Sequence, residues 1–117
     1  MAKASDEVRQ WRAVHRYARL SPRKARLVID LIRGRRVAAA QDILRFTRKR
    51  ASRLIDQVLR SAVANANEQE ADVRSLYVKE ARVDGGPHMR RFRPKDRGRA
   101  HQILKRTSHI VIEVAEE

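Results

Sequence analysis

Residues 85–109, Gly-Gly-Pro-His-Met-Arg-Arg-Phe-Arg-Pro-Lys-Asp-Arg-Gly-Arg-Ala-His-Gln-Ile-Leu-Lys-Arg-Thr-Ser-His, form a long basic connector between two strand-like segments. Within it eight cations (Arg90, Arg91, Arg93, Lys95, Arg97, Arg99, Lys105 and Arg106) stand against one acid, Asp96, a net +7 that is half of the chain's formal +14. A stretch so charged and so poor in apolar residues cannot collapse onto a core of its own. The segments on either side, residues 76–83 and 107–115, are rich in β-branched residues, with Ile110, Ile112 and Val114 alternating against Val111 and Glu113. With no long crossover between them they pair most simply as antiparallel neighbours, and the connector becomes a hairpin arm over about residues 84–106. From Val83 to Pro94 such an arm reaches roughly 36 Å at about 3.3 Å per residue, whereas a compact chain of this length has a radius of gyration of about 13 Å. The arm must therefore leave the globule. A basic arm in the open calls for a polyanion, and phosphate backbones are the obvious one.

The rest of the 117-residue chain is enough for one modest core. Residues 1–10 are polar and read as a flexible lead-in to a single domain over 11–117. Residues 11–20 read as a strand with Val14, Ala18 and Leu20 on one face. Ser21-Pro22 then opens a helix, the hydroxyl at the cap and proline in the first turn, with Ala25, Val28, Ile29 and Ile32 as its inner stripe and Gly34 as its stop. A second helix is expected over residues 37–46, closed inward by Ile43, Leu44 and Phe46. The third has the clearest period: Ala51, Leu54, Ile55, Val58, Leu59, Ala62, Val63 and Ala66. Asn65, Asn67 and the acidic run that follows end it.

Composition excludes several functions. No apolar run approaches the roughly 18 residues that span a bilayer, and the basic segments lack the apolar face of an interfacial helix, so a soluble chain with no membrane partner is expected. The first residues contain no apolar signal-peptide core. Without cysteine there is neither disulfide nor thiolate chemistry. His15, His88, His101 and His109 are scattered without zinc-ligand spacing, the dense acids Glu68, Glu70 and Asp72 read as a solvated linker, and no phosphate-binding glycine loop precedes a lysine. No catalytic residue, metal or cofactor is expected.

Two basic clusters join the arm as candidate contacts. The first is the start of the first helix, with Arg19, Ser21, Arg23, Lys24 and Arg26, where dipole and charge both favour phosphate; an ordinary exposed helix face has the same spacing. The second is Arg48, Lys49, Arg50 and Arg53. On the arm, Arg93, Lys95, Arg97, Arg99, Lys105 and Arg106 suit forked contacts to phosphate. Met89 and Phe92 have two readings: they wedge against bases, or they pack on each other across the arm.

Together, Arg19-Leu-Ser-Pro-Arg-Lys-Ala-Arg-Leu-Val-Ile-Asp-Leu-Ile-Arg-Gly34, Ala62-Val-Ala-Asn-Ala-Asn67, Leu76-Tyr-Val-Lys79, Gly86-Pro87, Arg93-Pro94, Arg97-Gly-Arg-Ala100 and Lys105-Arg-Thr-Ser-His-Ile110 resemble the bacterial-type family of the twenty-second large-subunit ribosomal protein. The resemblance runs in order from about Ala13 onward. It implies an α+β fold, three helices packed on a small antiparallel sheet with a long protruding hairpin. It further implies a structural, non-catalytic constituent of the large ribosomal subunit in the cytoplasm, which binds ribosomal RNA, assists its assembly and lines the peptide exit tunnel. His88, Met89, Arg90, Arg91 and Phe92 would form the tunnel-lining tip. Partners implied are large-subunit ribosomal RNA, the fourth protein of the large-subunit series at the tunnel constriction, and the nascent peptide in passing. The competing function is a DNA-architectural protein whose β-arm enters a minor groove and wedges an apolar or proline tip between base steps, a comparison that Arg93-Pro94 invites.

Overall fold

The computed structural model describes residues 9–94, 98 and 100–116. In chain order they form β1 (Gln10–Ala18), α1 (Pro22–Ile29), α2 (Val37–Phe46), α3 (Arg50–Glu68), a 3-10 turn (Val73–Ser75), β2 (Leu76–Gly85), β3 (Met89–Pro94), β4 (Ala100–Lys105) and β5 (Ser108–Glu116). The fold is α+β, as expected. An antiparallel sheet of order β1-β5-β2 carries the helices, and β3 and β4 form a separate two-stranded ribbon. With principal extents of 72 × 32 × 21 Å and a radius of gyration of 18.0 Å, the molecule is far from spherical.

The core lies between the sheet and the helices. α3 packs across β1 and β5, α1 lies against β2, and α2 closes on α3. Ile29, Ile32, Ile55, Leu59, Leu76, Val78, Ile110, Ile112 and Val114 are fully buried there. β5 is the central strand and is buried on both faces: opposite the helices, Val111 and Glu113 lie low between cross-strand partners Val14 and Arg12 on one side and Arg82 and Glu80 on the other. The expected α1 stripe of Ala25, Val28, Ile29 and Ile32 is buried in full. The regular helix ends at Ile29, however, and the chain tightens through i to i+3 hydrogen bonds before Gly34 turns it at φ +79°.

Three expectations about facing residues need correction. Val14 is 39% exposed and Ala13 takes the inward position, because β1 carries a bulge between His15 and Ala18, with Tyr17 at φ 58°. A bulge shifts the two-residue alternation by one, so a single parity cannot run from Val14 to Ala18. Phe46 is 76% exposed, since α2 turns Val37, Ala40 and Leu44 inward and ends before another turn brings Phe46 round. Leu54 and Val63 flank the α3 stripe and are only partly buried; the stripe centres on Ile55, Leu59 and Ala62. α3 also continues through Asn65 and Asn67, and the Asn65 side chain donates to the Arg12 carbonyl of β1 (3.2 Å).

β2 is an edge strand, and its outer edge is closed by the connection after α1. Gly34 N–H donates to the Val78 carbonyl (3.0 Å), and Val78 N–H donates to Arg35 (2.8 Å). The Arg33 guanidinium donates to the Ala81 carbonyl (2.7 Å), and Arg26 Nε donates to the Val83 carbonyl (3.0 Å). Covered carbonyls and charge on an edge oppose pairing with a foreign strand.

Candidate nucleic-acid interface

The arm is a regular antiparallel ladder whose first pair is Met89 with Lys105 and whose last is Pro94 with Ala100. Six consecutive pairs make up the ladder. Met89, Arg90, Arg91 and Phe92 stand on β3, which leads out from the globule, and His88 directly precedes it. Lys95, Arg97 and Arg99 fall outside the described residues. Arg90, Arg91, Phe92, Arg93, Lys105 and Arg106 are exposed and Met89 is half-buried. Met89 and Phe92 are three residues apart on one strand and therefore face opposite ways, so they do not pack on each other.

Where the arm meets the globule, three consecutive side chains tie it to different segments. Thr107 Oγ1 donates to the Pro87 carbonyl (2.7 Å), and Ser108 Oγ, fully buried, donates to the Leu20 carbonyl (2.7 Å). His109 Nδ1 accepts from Tyr17 N–H (3.1 Å), and its ring meets the Tyr17 ring edge-on at 4.9 Å. Gly86 N–H donates to the Thr107 carbonyl (2.9 Å), and a Cβ at Gly86 would fall 2.4 Å from Thr107 Oγ1. Glycine is required there by close approach. The Thr-Ser-His run thus fixes the arm's root to the β2–β3 connection, to the β1–α1 connection and to the β1 bulge at once.

On the globule the structure joins the two basic clusters that the sequence left separate. Arg48, Lys49, Arg50 and Arg53 line a cleft of about 780 Å3 between α2 and α3, together with Arg45 and Arg60. Arg60 is paired with Asp56 at 3.0 Å, one turn away on α3. A second cleft, of about 550 Å3, is lined by Leu20, Ser21, Lys24 and Leu27 and again by Lys49 and Arg50. Lys49 and Arg50 belong to both clefts, so one basic stripe runs from the arm's root past the start of α1 to the α2–α3 cleft. Arg19 and Arg23 are exposed at its head. Ser21 stands at the N-cap of α1 with extended backbone but makes no side-chain cap hydrogen bond.

Other cations are committed within the protein. Arg26, a candidate contact, holds the β2 edge as described, a role that helix spacing cannot reveal. On the helix-free face of the sheet, Arg12 pairs with Glu113 (3.6 Å) and Arg82 pairs with Glu80 and with Asp84 (3.2 Å). The hydrogen bond that Arg82 Nε donates to the Asp84 carboxylate, with the charge of Glu80 beside it, holds the Arg82 guanidinium protonated above its ordinary range. At the far end of the sheet from the arm, Arg9 pairs with Glu116 (3.6 Å), whose carboxylate also accepts from Asp72 N–H. Among the described residues, Arg19, Arg23, Lys24, Arg48, Lys49, Arg50 and Arg53 of the stripe and Arg90, Arg91, Arg93, Lys105 and Arg106 of the arm enter none of these ion pairs. Sequence reasoning missed Arg45 and Arg60; the signal for Arg60 is its spacing from Arg53 and Asp56 on one helix face. Among the described residues no three His, Asp or Glu side chains are grouped to hold a metal ion, and no helix is long and apolar enough to cross a membrane.

The family described as ribosomal protein L22p/L17e matches residues 13–115, nearly the whole chain and including both the stripe and the arm. The chain belongs to this family of ribosomal proteins. It is 57% identical over 102 residues to the large ribosomal subunit protein uL22 of Rubrobacter xylanophilus, covering 86% of this chain and 80% of that one. It is 53% identical over 107 residues to the large ribosomal subunit protein uL22 of Syntrophobacter fumaroxidans, covering 91% and 97%. Members of the L22p/L17e family are structural constituents of a ribonucleoprotein particle, so this chain is a structural protein and not an enzyme.

Proposed function

We propose that the protein is a component of the large ribosomal subunit that binds large-subunit ribosomal RNA through two joined surfaces, the basic stripe of the globule and the arm. The observation that carries this reading is the placement of charge in a ribosomal-family chain: the globule carries a stripe of cations across two clefts that share Lys49 and Arg50, and a separate two-stranded ribbon carries a second set. Lys and Arg set against phosphate release condensed counterions, which supplies sequence-independent affinity. The globule provides the anchor and the arm threads between RNA segments, lines the peptide exit tunnel, and there meets the fourth protein of the series and the passing nascent peptide. Holding separate RNA segments together is also how such a protein assists assembly. The arm orders fully as RNA closes round it, and part of the binding free energy offsets lost chain entropy. The site of action is the cytoplasmic ribosome, with residues 11–117 as one RNA-binding domain.

Purification of the native protein from cells under low salt tests this reading. It is expected to sediment with large subunits and to carry ribosomal RNA, released as salt is raised. Recovery with chromosomal DNA instead would favour the architectural alternative.

A further inference from the structure

The ladder register sorts the arm's side chains by chemistry. Cross-strand partners share a face and successive residues alternate, so Met89, Arg91 and Arg93 lie on one face with Ile103 and Lys105, and Arg90, Phe92 and Pro94 lie on the other with Gln102 and Leu104. The first face carries three cations. The second carries only Arg90, beside two apolar side chains left open, Phe92 at 70% and Leu104 at 43% exposure. Phe92 and Leu104 are diagonal neighbours across the ladder, close enough to make one platform. Next to them a recess of about 500 Å3 opens between Leu104, Gln102, Arg90, His88 and the Gly86-Pro87 turn.

Resting on the reading that the arm lies in RNA, we propose that its two faces bind different parts of that RNA: the Arg91–Arg93–Lys105 face takes phosphates, and the Phe92–Leu104 face takes unpaired nucleobases, with Phe92 as stacking surface and Arg90 beside it. Charge complementarity assigns the faces. Phosphates are the charged part of the polymer and belong against three cations, while bases are its uncharged, flat part and belong against an aromatic ring with one guanidinium, which itself stacks on bases. Base faces are hidden in a duplex, so the occupant is a single-stranded loop or bulge. An exposed phenylalanine contributes nothing to phosphate binding, and its exposure in water is unfavourable until something flat and apolar covers it.

The test is titration of the full-length protein with a large-subunit ribosomal RNA transcript over a series of KCl concentrations. Phe92→Ala is expected to weaken binding by about tenfold or more while leaving the slope of log affinity against log salt unchanged, because losing a neutral ring changes no counterion release. The double variant Arg91→Gln with Arg93→Gln should instead make that slope shallower by about 1.4 to 1.8. Phe92→Tyr should bind as the parent does. Phe92 stands outside the globule's core, so the thermal melt of each variant should match the parent's and show that binding, not folding, has changed. Full affinity in Phe92→Ala overturns the proposal. So does full affinity in Phe92→Leu, which would make the face an apolar packing surface for protein and not a stacking one. A parent protein that does not bind the transcript is a different result: it overturns the RNA reading as a whole, before the faces are compared.

Discussion

Excising residues 88–106 and closing Pro87 to Thr107 through a two-residue Asn-Gly turn should give a globule that melts like the parent but binds ribosomal RNA with a much weaker salt dependence. The geometry favours a clean excision. Gly86 and Thr107 are already paired backbone to backbone at 2.9 Å, Thr107 Oγ1 already reaches the Pro87 carbonyl at 2.7 Å, and the ribbon of β3 and β4 is a separate sheet from the one that carries the core. A two-residue turn of this type matches the twist of an antiparallel pair. The excised segment holds eight cations and one acid. If each cation neutralises one phosphate, the slope of log affinity against log salt becomes shallower by up to about 6 to 7. The stripe remains, with Arg23, Lys24, Arg48, Lys49, Arg50 and Arg53, so the excised protein should still be found in large subunits, with altered nascent-chain passage as the visible consequence. Its absence from subunits, with the globule still folded, would mean that the arm is itself the anchor.

The second large effect concerns the core. Leu59→Ala should destabilise the protein by about 2 to 5 kcal/mol, since Leu59 is fully buried between α3 and its neighbours and the vacated space is enclosed by packed side chains. For a domain of this size that corresponds to a fall in melting temperature of roughly 10 °C or more. Leu54→Ala should cost clearly less, because Leu54 stands at the margin of the stripe and water already reaches it. Thermal melts of both variants decide the point, and equal losses would place Leu54 inside the core.

The contrast between Leu54 and Leu59 shows what could be read from the residues and what could not. Period alone located α3 and named its apolar residues, but a stripe of eight has margins, and which side faces the sheet depends on where β1 and β5 lie. The Ser21-Pro22 start, the three helices, the pairing of β2 with β5 and the projecting arm all rest on local rules of capping, propensity and charge, and all were legible. The β1 bulge was not: nothing in His15-Arg-Tyr-Ala18 announces that Tyr17 will take a left-handed backbone and hand its N–H to His109, far along the chain. Arg26 is a similar case. Its charge and its place in the first turns of a helix suggested phosphate, yet its Nε closes the edge of β2, and only the packing of α1 on that strand could disclose it. On the arm, composition gave the charge but not the register, and the register separated Met89 from Phe92.

In the assembled particle both the stripe and the arm are expected to touch RNA. Replacing Arg53 or Arg91, one at a time, by a photoreactive amino acid and mapping the crosslinks in purified large subunits tests this most directly. Arg53 lines the α2–α3 cleft and Arg91 lies out on the arm, so the prediction is crosslinks to ribosomal RNA from both, at segments well separated in its sequence. Crosslinks from Arg91 to protein alone, or none to RNA from Arg53, would contradict it.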